Sequence, residues 1–151
     1  MFVLKRWIVA VVLSALLLAA GADCEVITFA RQFDNHNIPD IKDQANCAVI
    51  QIDQSHIIHD IDVAIKLTHS NIGDLQIYLD SPFGKSVRLF MFDYLLISEG
   101  GYEQMDVIFD DQAQSFIEPS GNDITGIYKP SQGCQLSDFN GYDVEGTWQL
   151  R

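Results

Sequence analysis

The sequence predicts an all-β fold, and three observations support that prediction. Apolar and polar residues alternate in short runs, most clearly over residues 61–67, where every second residue is Ile, Val or Leu. Turn-forming residues separate the runs at short intervals, as in the Ser-Pro-Phe-Gly of residues 81–84. Beyond the first 22 residues, no segment repeats apolar residues at the three-four spacing of a helix, so we expect little or no helix.

Seven apolar runs are expected to be strands, and together they favour a sandwich or a barrel. They are residues 26–30, 48–52, 61–67, 75–79, 87–91, 105–109 and 147–150. The Ser-Pro-Phe-Gly segment matches a type I turn and predicts an antiparallel hairpin between the fourth and fifth runs. Just before this hairpin, Gly73 is expected to take a positive φ and Asp74 to accept hydrogen bonds from nearby backbone N–H groups. Phe109 and Trp148 are predicted core residues.

The first 22 residues are predicted to form a secretory signal peptide. Two basic residues precede an apolar core at residues 8–18, and small residues end at Ala22. We therefore expect cleavage between Ala22 and Asp23, leaving one domain over residues 23–151. A membrane anchor is the alternative, but a spanning helix requires roughly 20 apolar residues, more than this segment offers. Cleavage predicts a secreted protein, extracellular or periplasmic, without membrane contact after processing.

The charge balance excludes some classes of partner. The chain has 21 acidic side chains against nine Lys and Arg, which gives a net charge of −12. Removal of Lys5 and Arg6 with the signal peptide lowers this to −14. Such a protein repels nucleic acid and anionic membrane surfaces. Cations, Ca²⁺ above all, suit so many carboxylates, although the alternative is that the acids serve solubility.

Three cysteines, Cys24, Cys47 and Cys134, predict one disulfide in an exported protein. Three pairings are available. The bond between Cys47 and Cys134 is the expected one, because both lie inside the domain whereas Cys24 lies next to its new terminus. The spacing offers no Cys-x-x-Cys pair, which disfavours zinc binding and thioredoxin-like chemistry.

Residues 67–90, LTHSNIGDLQIYLDSPFGKSVRLF, resemble the central signature of the P domain, also called the Homo B domain. In that signature Ile/Leu-Thr-His is followed by Gly-Asp-Leu, an alternating strand, Ser-Pro-x-Gly and a further strand. The Ile-Pro-Asp that ends at Asp40 is similar to the start of bacterial members. Other similar segments are the Phe-x-Asp-x-Ala of residues 109–113 and the closing run in residues 128–130, 139–141 and 146–150. The resemblance covers residues 29–151.

The resemblance implies a jelly-roll β-sandwich of the galactose-binding-domain-like type. It implies a non-catalytic module that accompanies subtilisin-like serine endopeptidase domains, including those of kexin-like and furin-like proprotein convertases. In those enzymes the module packs on the protease domain, supports its folding and tunes its response to calcium and pH. No catalytic residues are found in the sequence, which lacks Gly-x-Ser-x-Gly and a subtilisin-like serine context.

The expected function is therefore that of an accessory module associated with serine-type endopeptidase activity and proteolysis. Its expected partner is a subtilisin-like protease domain or another secreted protein. The alternative is a stand-alone secreted module that binds glycan or protein, in which Tyr78 and Tyr102 would line a sugar-binding surface.

Asp74, Asp110 and Asp111 are candidate calcium ligands, and Asp40 is a fourth. Ca²⁺ takes six to eight oxygens, which loop carboxylates and backbone carbonyls supply. The resemblance adds support, because some bacterial P domains bind calcium. The alternative interpretation is that these aspartates accept hydrogen bonds from backbone N–H groups in turns. The four histidines are interpreted as ordinary polar residues: His36, His56, His59 and His69.

The closing run differs from the family at its end. P domains normally continue past Trp-x-Leu with one more strand, whereas this sequence stops at Arg151. Either the sequence is a fragment or the gene is truncated. A jelly roll without its last strand would have an unpaired edge, which favours aggregation or strand exchange.

Overall fold

The structure, a computed structural model, describes residues 7–8, 26–32, 48–91, 103–118 and 123–151. The strands among these residues are β1 (Trp7–Ile8), β2 (Ala48–Ile52), β3 (Val63–Thr68), β4 (Gln76–Asp80), β5 (Ser86–Met91), β6 (Gln104–Phe109), β7 (Asp123–Tyr128) and β8 (Gly146–Leu150). Two short 3₁₀ segments, Ile72–Asp74 and Leu136–Phe139, interrupt them. The strands form two sheets, so the predicted all-β sandwich is confirmed.

Strand order determines which loops meet. Sheet A has the order β1-β3-β6-β7, and sheet B has the order β2-β8-β4-β5. In sheet A, β3 and β6 are antiparallel with Val63 opposite Phe109, whereas β6 and β7 are parallel. In sheet B, β4 and β5 form the predicted antiparallel hairpin, and Gly84 N–H donates to the Ser81 carbonyl (3.2 Å) to close its turn.

The hydrophobic core lies between the two sheets. In β3 the alternating residues Val63, Ile65 and Leu67 are each at most 2% exposed. Phe109 and Trp148, both predicted core residues, are also buried. Full burial of an apolar side chain of this kind contributes about 1.5–3 kcal/mol. The period-two pattern therefore correctly predicts which face of each strand is turned inward.

Three strands differ from the prediction, because one predicted strand does not form and two strands, β1 and β7, were not predicted. Residues 26–30 are not a strand, because an apolar run forms one only with a neighbouring strand to pair with, and Val26 is exposed. The strand β7 was missed because its alternation is weak: Ile124 is its one buried residue, and Gly126 interrupts it at φ 134°.

The prediction for Gly73 was also wrong. This residue lies buried in the Ile72–Asp74 segment and is not among the glycines with positive φ. The turn forms instead with Asn71 as its cap, since the Asn71 Oδ1 accepts a hydrogen bond from Gly73 N–H at 3.2 Å. A 3₁₀ turn therefore replaces the left-handed glycine that the sequence suggested.

Several predicted features lie outside the described residues, namely Ala22, Asp23, Asp40 and Cys47. The cleavage site and the disulfide therefore stay predictions. Cys134 is half-buried and packs against the core. In the part of the chain that the structure describes, no helix is long and apolar enough to cross a membrane.

Candidate functional site

The Ser-Pro-Phe-Gly turn places Phe83 among three other aromatic residues. The Phe83 ring stacks on Tyr142 with centroids 4.3 Å apart and meets the edge of Trp148 at 5.7 Å. Phe139 meets both Phe83 and Trp148 in edge-on contacts, at 5.9 Å and 5.2 Å. We call these four residues the aromatic clamp. Each such pair contributes about 0.5–1.5 kcal/mol beyond burial, so the clamp fastens the β4–β5 turn to the chain around β8.

Gly146, the first residue of β8, lies against the same turn. Its φ is +128°, and a Cβ at this position would stand 2.5 Å from the Pro82 Cβ. Both the backbone conformation and the close approach therefore require glycine. Nearby, the buried Trp148 donates its Nε1–H to the Val144 carbonyl at 2.8 Å, so its polar group is satisfied.

Asp143 joins the loop before β3 to the loop before β8. Its carboxylate accepts hydrogen bonds from the Ser55 hydroxyl, from Glu145 N–H (2.9 Å) and from His56 N–H (3.1 Å). These bonds, the one from Ser55 first, hold the pKa of Asp143 below its ordinary value. Serine, histidine and aspartate are the residues of a catalytic triad, but here the hydroxyl donates directly to the carboxylate and histidine takes part through its backbone. The described hydrogen bonds therefore hold two loops together and do not form the geometry of a catalytic triad.

Four aspartates lie where β3 begins and β6 ends, and we call them the carboxylate cluster: Asp60, Asp62, Asp110 and Asp111. The pairing of Val63 with Phe109 sets this arrangement, because Asp62 directly precedes β3 and Asp110 directly follows β6. Burial, followed by the charges of Asp110, Asp60 and Asp111, raises the pKa of Asp62 to about 6. Among the described residues, the buried Asp62 Oδ1 has no hydrogen-bond partner.

Two members of the cluster hold backbone groups. Asp111 accepts hydrogen bonds from Leu136 N–H (2.8 Å) and Ser137 N–H (2.7 Å), at the start of the second 3₁₀ segment. Asp110 accepts one from Gln112 N–H at 2.6 Å, in the turn after β6. These bonds are the kind that the alternative interpretation of the aspartates describes.

The predicted calcium ligands do not all meet. Asp110 and Asp111 lie in the carboxylate cluster, whereas Asp74 follows the Thr68 end of β3, away from Val63. Within the described residues, no group of three or more His, Cys, Asp or Glu side chains is arranged to hold a metal ion.

Sequence reasoning missed Asp60 and Asp62 as members of the site. The signal that could have found them is their position: they flank Ile61 immediately before β3, at the end of the sheet that also receives Asp110. Strand register is what brings the two pairs of acids together, and the sequence does not state which strands are neighbours.

The predicted sugar-binding tyrosine is engaged within the chain. The Arg151 guanidinium lies over the Tyr78 ring, 4.7 Å from its centroid. Arg151 also pairs with Asp80 at 2.9 Å, which holds the cation in place. One face of the Tyr78 ring is thus covered by a cation, and Tyr102 lies outside the described residues.

The second 3₁₀ segment connects the two regions, since Asp111 holds its start and Phe139 at its end joins the clamp. The two sheets define the class of the protein as a β-sandwich module. Turn caps and aromatic packing hold its motif residues in place. A family model described as the proprotein convertase P-domain matches residues 58–151, and the chain belongs to this family. Its members are associated with proprotein convertase-like proteases and are usually secreted. No curated protein and no solved structure matches the chain.

Proposed function

We propose that the protein is a secreted, non-catalytic accessory module that supports or regulates a subtilisin-like serine endopeptidase domain lying outside this sequence. The observation that carries the proposal is the family match over residues 58–151. The matched range contains both the aromatic clamp and the carboxylate cluster. These two groups include residues of the Ser-Pro-Phe-Gly and Phe-x-Asp-x-Ala motifs. The biochemical context is serine-type endopeptidase activity and proteolysis.

The exposed side of the aromatic clamp supports a docking role. Tyr142 remains 39% exposed although its ring stacks on Phe83, and Pro82, which directly precedes Phe83, is also exposed. The Lys85 ammonium lies 4.7 Å from the centre of the Tyr142 ring and donates to the Asp138 carbonyl at 2.8 Å. Exposed aromatic residues are enriched at protein interfaces, and a side chain already held in place loses little conformational entropy on binding.

Co-secretion tests the proposal. The chain is expressed with subtilisin-like protease domains secreted by the same organism, and the yield of active protease and its co-purification with the chain are measured. We expect both to rise, and we expect Tyr142→Asp to abolish the rise. Ile127→Asp is the matched control, because it places the same charge on an isoleucine that is 55% exposed on β7.

The outcome distinguishes the two candidate functions. A chain that neither copurifies with any of these protease domains nor alters their yield contradicts the proposal. Binding of the purified chain to a glycan array, without an effect on protease, would instead favour a stand-alone binding module.

We also propose that the carboxylate cluster binds calcium after its side chains rearrange, since they are not arranged around a metal ion in the described geometry. The buried Asp62 Oδ1 offers an unused acceptor beside the charges of Asp60 and Asp110, and a divalent cation would offset their repulsion. Titration calorimetry and thermal unfolding with Ca²⁺ test this. We expect binding heat and a raised melting temperature, both lost in Asp62→Asn but kept in Asp106→Asn, which changes an exposed aspartate on β6. Absence of heat and of any melting shift in the unaltered chain rejects calcium.

A further inference from the structure

The two sides of β3 are paired to different extents within the described residues. On one side all six residues of β3 face β6, from Val63 opposite Phe109 to Thr68 opposite Gln104. On the other side the described partner is β1, which pairs only with Leu67 and Lys66. The outer edge of β3 is therefore bound by a short segment that belongs to the predicted signal peptide.

The hydrogen-bond pattern shows which groups of β3 face that edge. His69 N–H donates to the Glu103 carbonyl at 2.9 Å, which continues the ladder between β3 and β6. In an antiparallel ladder, successive residues direct their N–H and C=O groups to opposite sides. Ile65 therefore bonds toward β6, whereas Ala64 and Lys66 direct their backbone groups toward the outer edge.

The segment on this edge differs in charge from the rest of the chain. Lys5 and Arg6 directly precede Trp7 and Ile8, and a run of Val and Ala residues follows. Residues 23–151 keep all 21 acidic side chains against seven basic ones. An apolar, positively charged strand is thus complementary to this domain, whereas a second copy of the domain would be repelled.

We propose that the outer edge of β3 is a strand-acceptor site. After removal of residues 1–22 it binds an extended, apolar, positively charged segment of a partner polypeptide. The incoming strand runs antiparallel to β3, as β1 does, and exchanges backbone hydrogen bonds with Ala64 and Lys66. Strand addition depends on backbone groups and charge. The site would therefore bind such a segment whether or not the partner polypeptide is a protease.

The experiment starts from the folded full chain. A site-specific protease sequence is inserted after Ala22, the purified chain is cut, and size-exclusion chromatography measures whether residues 1–22 remain bound. A fluorescent peptide with the sequence of residues 4–12 is then added, and its anisotropy measures exchange into the site. We expect the cut fragment to stay bound and the labelled peptide to replace it saturably.

Two variants at one position test the backbone role. Ala64→Pro removes the N–H that faces the edge, and we expect at least tenfold weaker peptide binding. Ala64→Val keeps this N–H and changes only the side chain. We therefore expect its affinity for the peptide to stay within twofold of that of the unaltered chain. A peptide with Glu in place of Lys5 and Arg6 should bind at least tenfold more weakly at low salt.

Hydrogen exchange keeps the test informative if Ala64→Pro does not fold. In the unaltered cut chain, the amides of Ala64 and Lys66 should become protected when the peptide binds, while that of Ile65 is protected throughout. Release of the fragment without uptake of the peptide overturns the proposal, as does equal binding by the two Ala64 variants. Dimerisation of the cut chain in the absence of peptide would assign the edge to a second copy and also overturn it.

Discussion

The aromatic clamp and the carboxylate cluster lie at the two ends of one 3₁₀ segment, yet their energetics are opposite. In the clamp, each ring packs against others, and the Trp148 N–H is satisfied by a carbonyl. In the cluster, four like charges are gathered and Asp62 retains a buried oxygen without a partner in the described residues. The clamp therefore stabilises the fold, whereas the cluster weakens it. Features that cost stability in a folded domain are the ones to examine for a ligand.

The largest expected effect breaks the clamp. Phe139 is fully buried, so Phe139→Ala removes its contacts with Phe83 and Trp148 and leaves a cavity. We expect a loss of about 3–5 kcal/mol in the free energy of unfolding, measured by urea denaturation. Phe116→Ala is the matched control, because Phe116 is 42% exposed, and it should cost less than about 1 kcal/mol. Equal losses in the two variants would show that the clamp does not hold this end of the sandwich.

A smaller effect is expected where the turn meets β8. Gly146→Ala places a Cβ against Pro82 in a residue with φ +128°, so overpacking and backbone strain add. We expect a cost of about 2–4 kcal/mol by denaturant unfolding. Gly84→Ala also changes a glycine with a positive φ, but at +82° this φ is less strained for alanine and the new Cβ meets open space, so it should cost about 1 kcal/mol. If Gly146→Ala and Gly84→Ala lower the free energy of unfolding equally, the chain relaxes the contact with Pro82 at no cost.

The smallest expected effect is at the carboxylate cluster, where a substitution should raise the free energy of unfolding instead of lowering it. Because the pKa of Asp62 is raised from 3.8 to about 6 in the folded protein, the ionised carboxylate destabilises the fold. This cost in stability is absent below pH 3.8, grows as the pH rises from 3.8 to about 6, and is fully present above about pH 6. Two pKa units correspond to about 3 kcal/mol, but partial exposure screens the charge, so we expect about 1 kcal/mol.

Thermal unfolding over a range of pH measures this effect. Asp62→Asn should unfold at a higher temperature than the unaltered chain at pH 7.5, and the two should converge near pH 4. The control Asp106→Asn changes an exposed aspartate on β6 that pairs with Lys66, and it should alter stability by less than about 0.5 kcal/mol at either pH. An Asp62→Asn protein that is less stable at pH 7.5 would contradict the electrostatic account of the cluster.

The sequence predicted most of the fold because its strands alternate strictly. The runs at residues 48–52 and 105–109 need only period-two reasoning, and their inward residues are buried as expected. It failed at β7, where a glycine and exposed side chains leave little alternation, and at Gly73, where a cap by Asn71 gave a turn that glycine chemistry alone did not suggest.

The site was less predictable because it depends on contacts between distant segments. Asp110 and Asp111 were singled out from a motif, but their neighbour Asp62 depends on β3 pairing with β6, which no local pattern reveals. Gly146 matched a family motif, yet only the structure shows that its hydrogen makes room for Pro82. Resemblance identifies such residues, and packing explains them.

The clamp also bears on when the domain folds. Its turn, residues 81–84, and its other members from Phe139 onward are more than 50 residues apart in the chain. During synthesis the hairpin therefore emerges well before the rings that cover it, and closure must wait until β8 has been made. Long-range closure of this kind is slow, on the order of milliseconds to seconds. The half-made chain would present Phe83 and its neighbours to chaperones in the interval.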